Sequence, residues 1–283
     1  MRRRFVAARV TLVCILLVLW HPMIGLGQPS PTGSPREPFD RTVALGSPDA
    51  RYSLAAIRAA VAPRTVEVHC DPVFHRTLEF TGFPLQEVVA KFLVGNQEAL
   101  VFTATDGYKV LLPRDKVTDE AVLAFTNTSD GSGWLPSESA SAPADLGPLY
   151  LVWEGTEACD SAYDGYWPYQ VESILTESAD ALLARIAPNP RDVSAAVSAG
   201  FIVFRDNCLS CHQVRGVGGT VGPALDRPMA VTDYWKEDRL RDFVLDAPSF
   251  IADTKMPPFR ERLDSKAYDD LMAYIAWVAT RRH

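Results

Sequence analysis

Cys208-Leu209-Ser210-Cys211-His212 places two thiols and an imidazole within five residues. On a single turn, thiols at this spacing can add across the two vinyl groups of a haem, and the adjoining imidazole can ligate its iron. The same C-x-x-C spacing also serves a dithiol redox centre or half of a zinc site. A dithiol centre goes with a strand-helix-strand setting, which the flanking residues do not show. A zinc ion needs two further ligands, and His283 is the one other histidine after residue 194.

Iron held by one imidazole takes a sixth ligand or keeps an open face. Met256, in Thr254-Lys255-Met256-Pro257-Pro258, is the leading candidate. Its thioether is a soft ligand that raises the reduction potential opposite a histidine and closes the iron to substrates. The two prolines stiffen the segment presenting the sulfur. Met229 follows His212 by only seventeen residues, and Met272 lies in a helical pattern, where methionine is more often core filler.

Residues 1–27 carry Arg2, Arg3 and Arg4, then an uncharged apolar run from Val10 to Trp20, then small residues up to Gly27. That is the pattern of a secretory signal peptide, and the run is shorter than the ~20 residues of a spanning helix. The expectation is export to the periplasm, with membrane attachment only if this segment stays uncleaved. Export permits both covalent haem attachment and disulfides, so Cys70 and Cys159 are candidates for a bridge. Cys14 lies inside the apolar run. His69 and His75, flanking Cys70, read as ordinary strand and loop residues.

The elements that must position these groups differ along the chain. Residues 28–50, rich in proline, serine and glycine, read as a flexible tether. Helical spacing follows over Ser53–Ala62 and Leu85–Val94. Strand-like runs cover Thr65–His69, Thr77–Phe80, Ala99–Ala104, Lys109–Leu112, Leu149–Trp153 and Gln170–Leu175, with Asp106-Gly107 as a hairpin turn. Asn127–Pro148 reads as a long mobile loop. Ser178–Ile186 reads as helix, and Pro188-Asn189-Pro190 as a domain boundary. Ser194–Phe204, Lys236–Leu245 and Ser265–Thr280 then give three helices. The prediction is an α+β domain over 51–187 and an all-α domain over 194–283.

Charge divides the same way. The formal net charge of −7 includes four arginines within residues 1–27, so the remainder carries about −11. Residues 194–283 balance 12 basic against 12 acidic side chains, whereas residues 28–193 hold 12 and 23. An acidic chain without a basic block repels nucleic acid. With 47% hydrophobic and 22% charged residues, the composition also excludes a disordered, collagen-like or multi-span membrane chain.

Four motifs in order make residues 194–283 resemble the class I cytochrome c family: Gly200-x-x-x-Phe204-x-x-x-Cys208, Gly222-Pro223-Ala224-Leu225, Lys255-Met256-Pro257 and Leu271-x-x-Tyr274-Ile275. The resemblance implies one covalent haem c on Cys208 and Cys211, with His212 and Met256 as low-spin axial ligands. It also implies that the Pro223 carbonyl orients His212, and that Gly200 lets the first and last helices cross closely. Residues ~64–176 resemble the molybdopterin-binding domain of the sulfite oxidase type. That resemblance is carried by Gly82-Phe83-Pro84-Leu85, Val101-Phe102-x-x-x-Asp106-Gly107-Tyr108 and Gly147-Pro148-Leu149-Tyr150-Leu151-Val152. It implies an α+β fold. The acidic surroundings suit a pterin pyrophosphate badly, so the domain is expected to be cofactor-free.

The expectation is therefore an electron carrier rather than an enzyme, with an acidic domain docking a redox protein partner, a dehydrogenase or a terminal oxidase. The alternatives are a molybdenum oxidoreductase feeding its own haem, or a haem-based ligand sensor.

Overall fold

Ala121–Thr126 shows how the sheet part is built, because all six of its residues are buried. Ala121, Leu123 and Phe125 face one apolar core, Val122 and Ala124 another. A strand covered on both faces loses the polar alternation that marks a half-buried one. That is why this strand, β7, was not among the runs expected from the sequence. A computed structural model describes residues 38–95, 97–135, 143, 145–156 and 166–281. The expected signal peptide, Cys14, Cys159 and His283 lie outside the described residues. Among the described residues no helix is long and apolar enough to cross a membrane.

The N-terminal part holds β1 (Thr42–Leu45), β2 (Arg51–Ser53), α1 (Leu54–Ala60), β3 (Arg64–Val68), β4 (Leu78–Pro84), α2 (Leu85–Phe92), β5 (Ala99–Ala104), β6 (Lys109–Pro113), β7, β8 (Tyr150–Trp153) and β9 (Val171–Glu177). They form a five-stranded sheet in the order β2-β1-β9-β5-β6 and a four-stranded sheet in the order β3-β4-β7-β8. Only β1 and β9 pair in parallel; the other ladders are antiparallel. The facing sides of the two sheets share one core with α1 and α2, through Val43, Leu54, Phe83, Leu100, Leu123 and Ile174. Ser53 caps α1 by accepting the Ala56 N–H at 3.1 Å. At Gly82 a Cβ would stand 2.3 Å from the Leu123 carbonyl oxygen, so β4 and β7 approach there only because the side chain is missing.

The α+β class of the N-terminal part is as expected. Two expected boundaries are not. The tether assigned to 28–50 reaches too far: Val43, Ala44 and Leu45 are at most 1% exposed, and Ala44 and Leu45 pair with β9, so hydrophobic burial overrides the local abundance of turn residues. The α+β boundary at 187 also falls too late. Ile186 is fully buried in the C-terminal core beside Leu182 and Leu183, and Tyr274 donates its phenolic hydrogen to the Ile186 carbonyl at 3.0 Å. Within the expected loop after Thr126, Asn127–Leu135 is a hydrogen-bonded turn. There Asn127 N–H donates to the Gly133 carbonyl at 3.3 Å and Leu135 N–H to Asn127 Oδ1 at 2.7 Å.

The C-terminal part follows α3 (Ala179–Ala184) with α4 (Ala195–Asn207), the short pair β10 (Gln213–Val214) and β11 (Val217–Gly218), α5 (Val231–Tyr234), α6 (Glu237–Leu245) and α7 (Ser265–Ala279). Helices α4 and α7 cross at Gly200, where a Cβ would come within 1.8 Å of the Asp270 carbonyl oxygen. Phe204, fully buried, packs on Tyr274 with ring centroids 5.3 Å apart. The two parts keep separate apolar cores, yet the described residues make up one compact unit.

Candidate functional site

Helix α4 ends where the site begins. Cys208 N–H makes the last regular bond, to the Phe204 carbonyl at 2.8 Å, and the chain then curls over. Cys211 and His212 N–H both return to the Cys208 carbonyl, at 3.1 and 2.8 Å. Both thiols and the imidazole therefore sit on one turn, held in place by the α4–α7 crossing.

The imidazole is held as firmly as the turn. Its Nδ1 lies 2.8 Å from the Pro223 carbonyl oxygen. A carbonyl can only accept, so Nδ1 carries the proton and Nε2 keeps its lone pair for a metal. Burial lowers the His212 pKa and the Pro223 bond partly offsets this, so the ring is neutral at pH 7. Gly222 makes the approach possible: a Cβ there would meet His212 Cε1 at 2.3 Å and Nδ1 at 2.7 Å. The segment is brought back over the ring by the β10–β11 hairpin, whose turn residues Arg215 and Gly216 have φ of 50° and 74°. Arg215 N–H is fixed by the buried Asp226 carboxylate at 3.0 Å.

Cys208 and Cys211 are both free thiols. Burial pushes Cys208 up to about 12 and Cys211 up to about 11. A dithiol exchange centre needs the opposite shift, toward thiolate. Among the described residues no group of three or more His, Cys, Asp or Glu could hold a metal ion, so the tetrahedral set of a zinc site is not assembled from them. Two unbridged thiols beside an imidazole with one free nitrogen fit a haem.

Met256 is partly buried and packs against the C-terminal core, as do Cys208, Leu209 and Leu225. Its N–H donates to Thr254 Oγ1 at 3.1 Å. Met229 is 51% exposed, and Met272 packs into the core from α7. Cys70 is disulfide-bonded; Cys159, its expected partner, lies outside the described residues. His69 is half-exposed, its Nδ1 3.2 Å from the Glu67 carboxylate. His75 sits at φ 53° in a turn organised by Asp71, whose buried carboxylate accepts the Val73 and Phe74 N–H groups and the Tyr150 hydroxyl.

Residues 195–275 match the family model described as cytochrome C oxidase, cbb3-type, subunit III. The C-terminal region is a cytochrome c domain. The match spans less than a third of the chain and does not reach the two N-terminal sheets, so the molybdopterin-binding resemblance expected there is not shown. No curated protein matches the chain. The cytochrome c domain brings haem and electron transfer with it.

One part of the site has no signal in the sequence. The turn Asp106-Gly107-Tyr108, expected as a hairpin and as part of the molybdopterin-domain motif, lies against the Cys208–His212 turn. Lys109 N–H donates to the Ser210 carbonyl and Thr220 N–H to the Gly107 carbonyl, both at 2.9 Å. A hundred residues separate these partners, and no local pattern reports such a contact.

Proposed function

We propose that this chain is an exported, periplasmic c-type cytochrome that carries single electrons between redox proteins. Cys208 and Cys211 would hold the haem by thioethers, each S–H adding across a vinyl C=C with no change in electron count, and His212 Nε2 and the Met256 thioether would ligate its iron. The haem, when bound, supplies a one-electron ferric/ferrous couple. Everything else is the work of the chain: Pro223 fixes the tautomer, Gly222 leaves room for the ring, and the α4–α7 crossing fixes the turn.

The observation that carries this reading is the His212–Pro223 bond beside two free thiols on the same turn. A thioether ligand closes the iron, which favours a carrier over a catalyst or a ligand sensor. The family that matches is named for a terminal oxidase subunit, so an oxidase is the favoured partner, with a dehydrogenase as the other. The acidic residues of 28–193 supply a surface for docking that partner, and its encounter rate should fall as salt is raised.

The test is purification from a host with cytochrome c maturation. Haem that survives denaturation, a two-thioether pyridine haemochrome and loss of one thioether in Cys208→Ala are expected. Non-covalent haem would refute the reading, and molybdenum near one per chain would replace it with an enzyme.

A further inference from the structure

Three consecutive residues of the β5–β6 turn reach the C-terminal part by different means. Gly107 accepts the Thr220 N–H through its carbonyl. Tyr108, partly buried, sets its phenol beside the Ser210 side chain. Asp106 Oδ2 receives the Lys255 ammonium at 2.9 Å, while its Oδ1 accepts the Tyr108 N–H at 3.0 Å and so keeps the carboxylate aimed. The turn is shaped for this contact. Gly107 has φ 89°, and a Cβ on it would overlap Thr220 Oγ1 at 2.0 Å. On the other side, a Cβ at Gly219 would come within 3.0 Å of the Gly107 carbonyl oxygen.

One turn of the sheet part therefore touches two segments far apart in the chain. It holds Ser210 and Thr220 by one main-chain bond each, Lys109 N–H to the Ser210 carbonyl and Thr220 N–H to the Gly107 carbonyl, which salt does not screen. It holds Lys255, the residue before Met256, by one ion pair with 66% of the lysine side chain and 25% of the aspartate side chain exposed. The Thr254–Pro258 segment has little regular structure of its own, so this pair anchors it from outside the C-terminal core.

We propose that the β5–β6 turn is a clamp on the methionine segment, and that Asp106 is a positioning residue that sets how readily Met256 leaves the iron. The proposal rests on Met256 being the axial ligand. An exposed pair of this kind changes an opening equilibrium by about two- to fivefold.

The experiment uses ferric holoprotein and imidazole as the probe, since imidazole binds iron only after the thioether has left. Asp106→Asn should bind imidazole about two- to fivefold more tightly than the native protein. Asp106→Glu should restore much of the difference. High salt should move the native protein toward the variant and leave the variant unchanged. Hydrogen exchange over residues 250–258 should quicken in Asp106→Asn, a readout independent of the iron. Met256→Ala is the reference: it should bind imidazole far more tightly, and adding Asp106→Asn to it should change nothing. If Met256→Ala opens the iron while native and Asp106→Asn proteins match in affinity and salt response, the clamp is overturned and the ligand reading survives. If Met256→Ala leaves the affinity unchanged, both fall.

Discussion

Gly222→Ala isolates one methyl group at the centre of the site. The backbone at Gly222 lies outside the left-handed region, so alanine is not excluded by conformation. The obstacle is the ring. A Cβ at 2.3 Å from His212 Cε1 is about 1.1 Å inside ordinary contact. A ring that moves away by that much stretches the 2.8 Å bond from Nδ1 to the Pro223 carbonyl past the ~3.5 Å at which it ceases to be one. Losing the partner of a metal-ligating histidine weakens ligation by about 10- to 100-fold. Protons compete with iron for Nε2, so each tenfold loss raises the midpoint of acid detachment by about one pH unit. Gly222→Ala should therefore retain its covalent haem and lose the low-spin spectrum at a pH one to two units higher than the native protein. The assay is an optical acid titration, with the pyridine haemochrome as the loading control. A midpoint within about 0.3 unit of native would show that the ring tolerates the methyl group and that Gly222 does not govern ligation.

Gly200→Ala must push α7 away, because the obstacle there is the Asp270 main chain rather than a side chain that can turn aside. The overpacking cost of ~1–3 kcal/mol exceeds the ~1 kcal/mol that alanine gains in a helix, so Tm should fall in thermal melts followed at the haem band. Asp145 gives a pH dependence. Burial works against its charge, but the Arg41 guanidinium and the Gly147 N–H hold its carboxyl below 3.8. The unfolded chain thus binds the proton more readily. The stabilisation is present above about pH 4 and is lost as pH falls through the depressed value. Arg41→Leu should lower Tm at pH 7, and the difference from native should shrink on acidification below pH 4. A difference that is constant with pH would place the effect in packing instead.

The site was legible because its chemistry is local. Cys208, Cys211 and His212 lie on one turn, and the sequence spacing alone brings them together. Pro223 and Gly200 were expected from motif order; the Pro223 carbonyl lies 2.8 Å from His212 Nδ1, and Gly200 lies where α4 and α7 cross. The sheets were half legible. Strands with one wet face, such as β5, show their alternation, whereas β7 is buried on both sides and β1 hides within turn-forming residues. Ile186 looked like the end of the first domain because proline follows it, but burial against Tyr274 decides where it belongs.

The sequence by itself determined the Cys208–His212 turn, the order of the C-terminal helices and the division of charge between the two parts. These depend on residue type and on contacts a few positions apart. Only the tertiary structure decided what lies against that turn. The Asp106–Tyr108 turn reaches Ser210, Thr220 and Lys255 across 100 residues or more, and such contacts arise from shape and hydrogen-bond matching between surfaces. Neither surface carries a pattern that names the other.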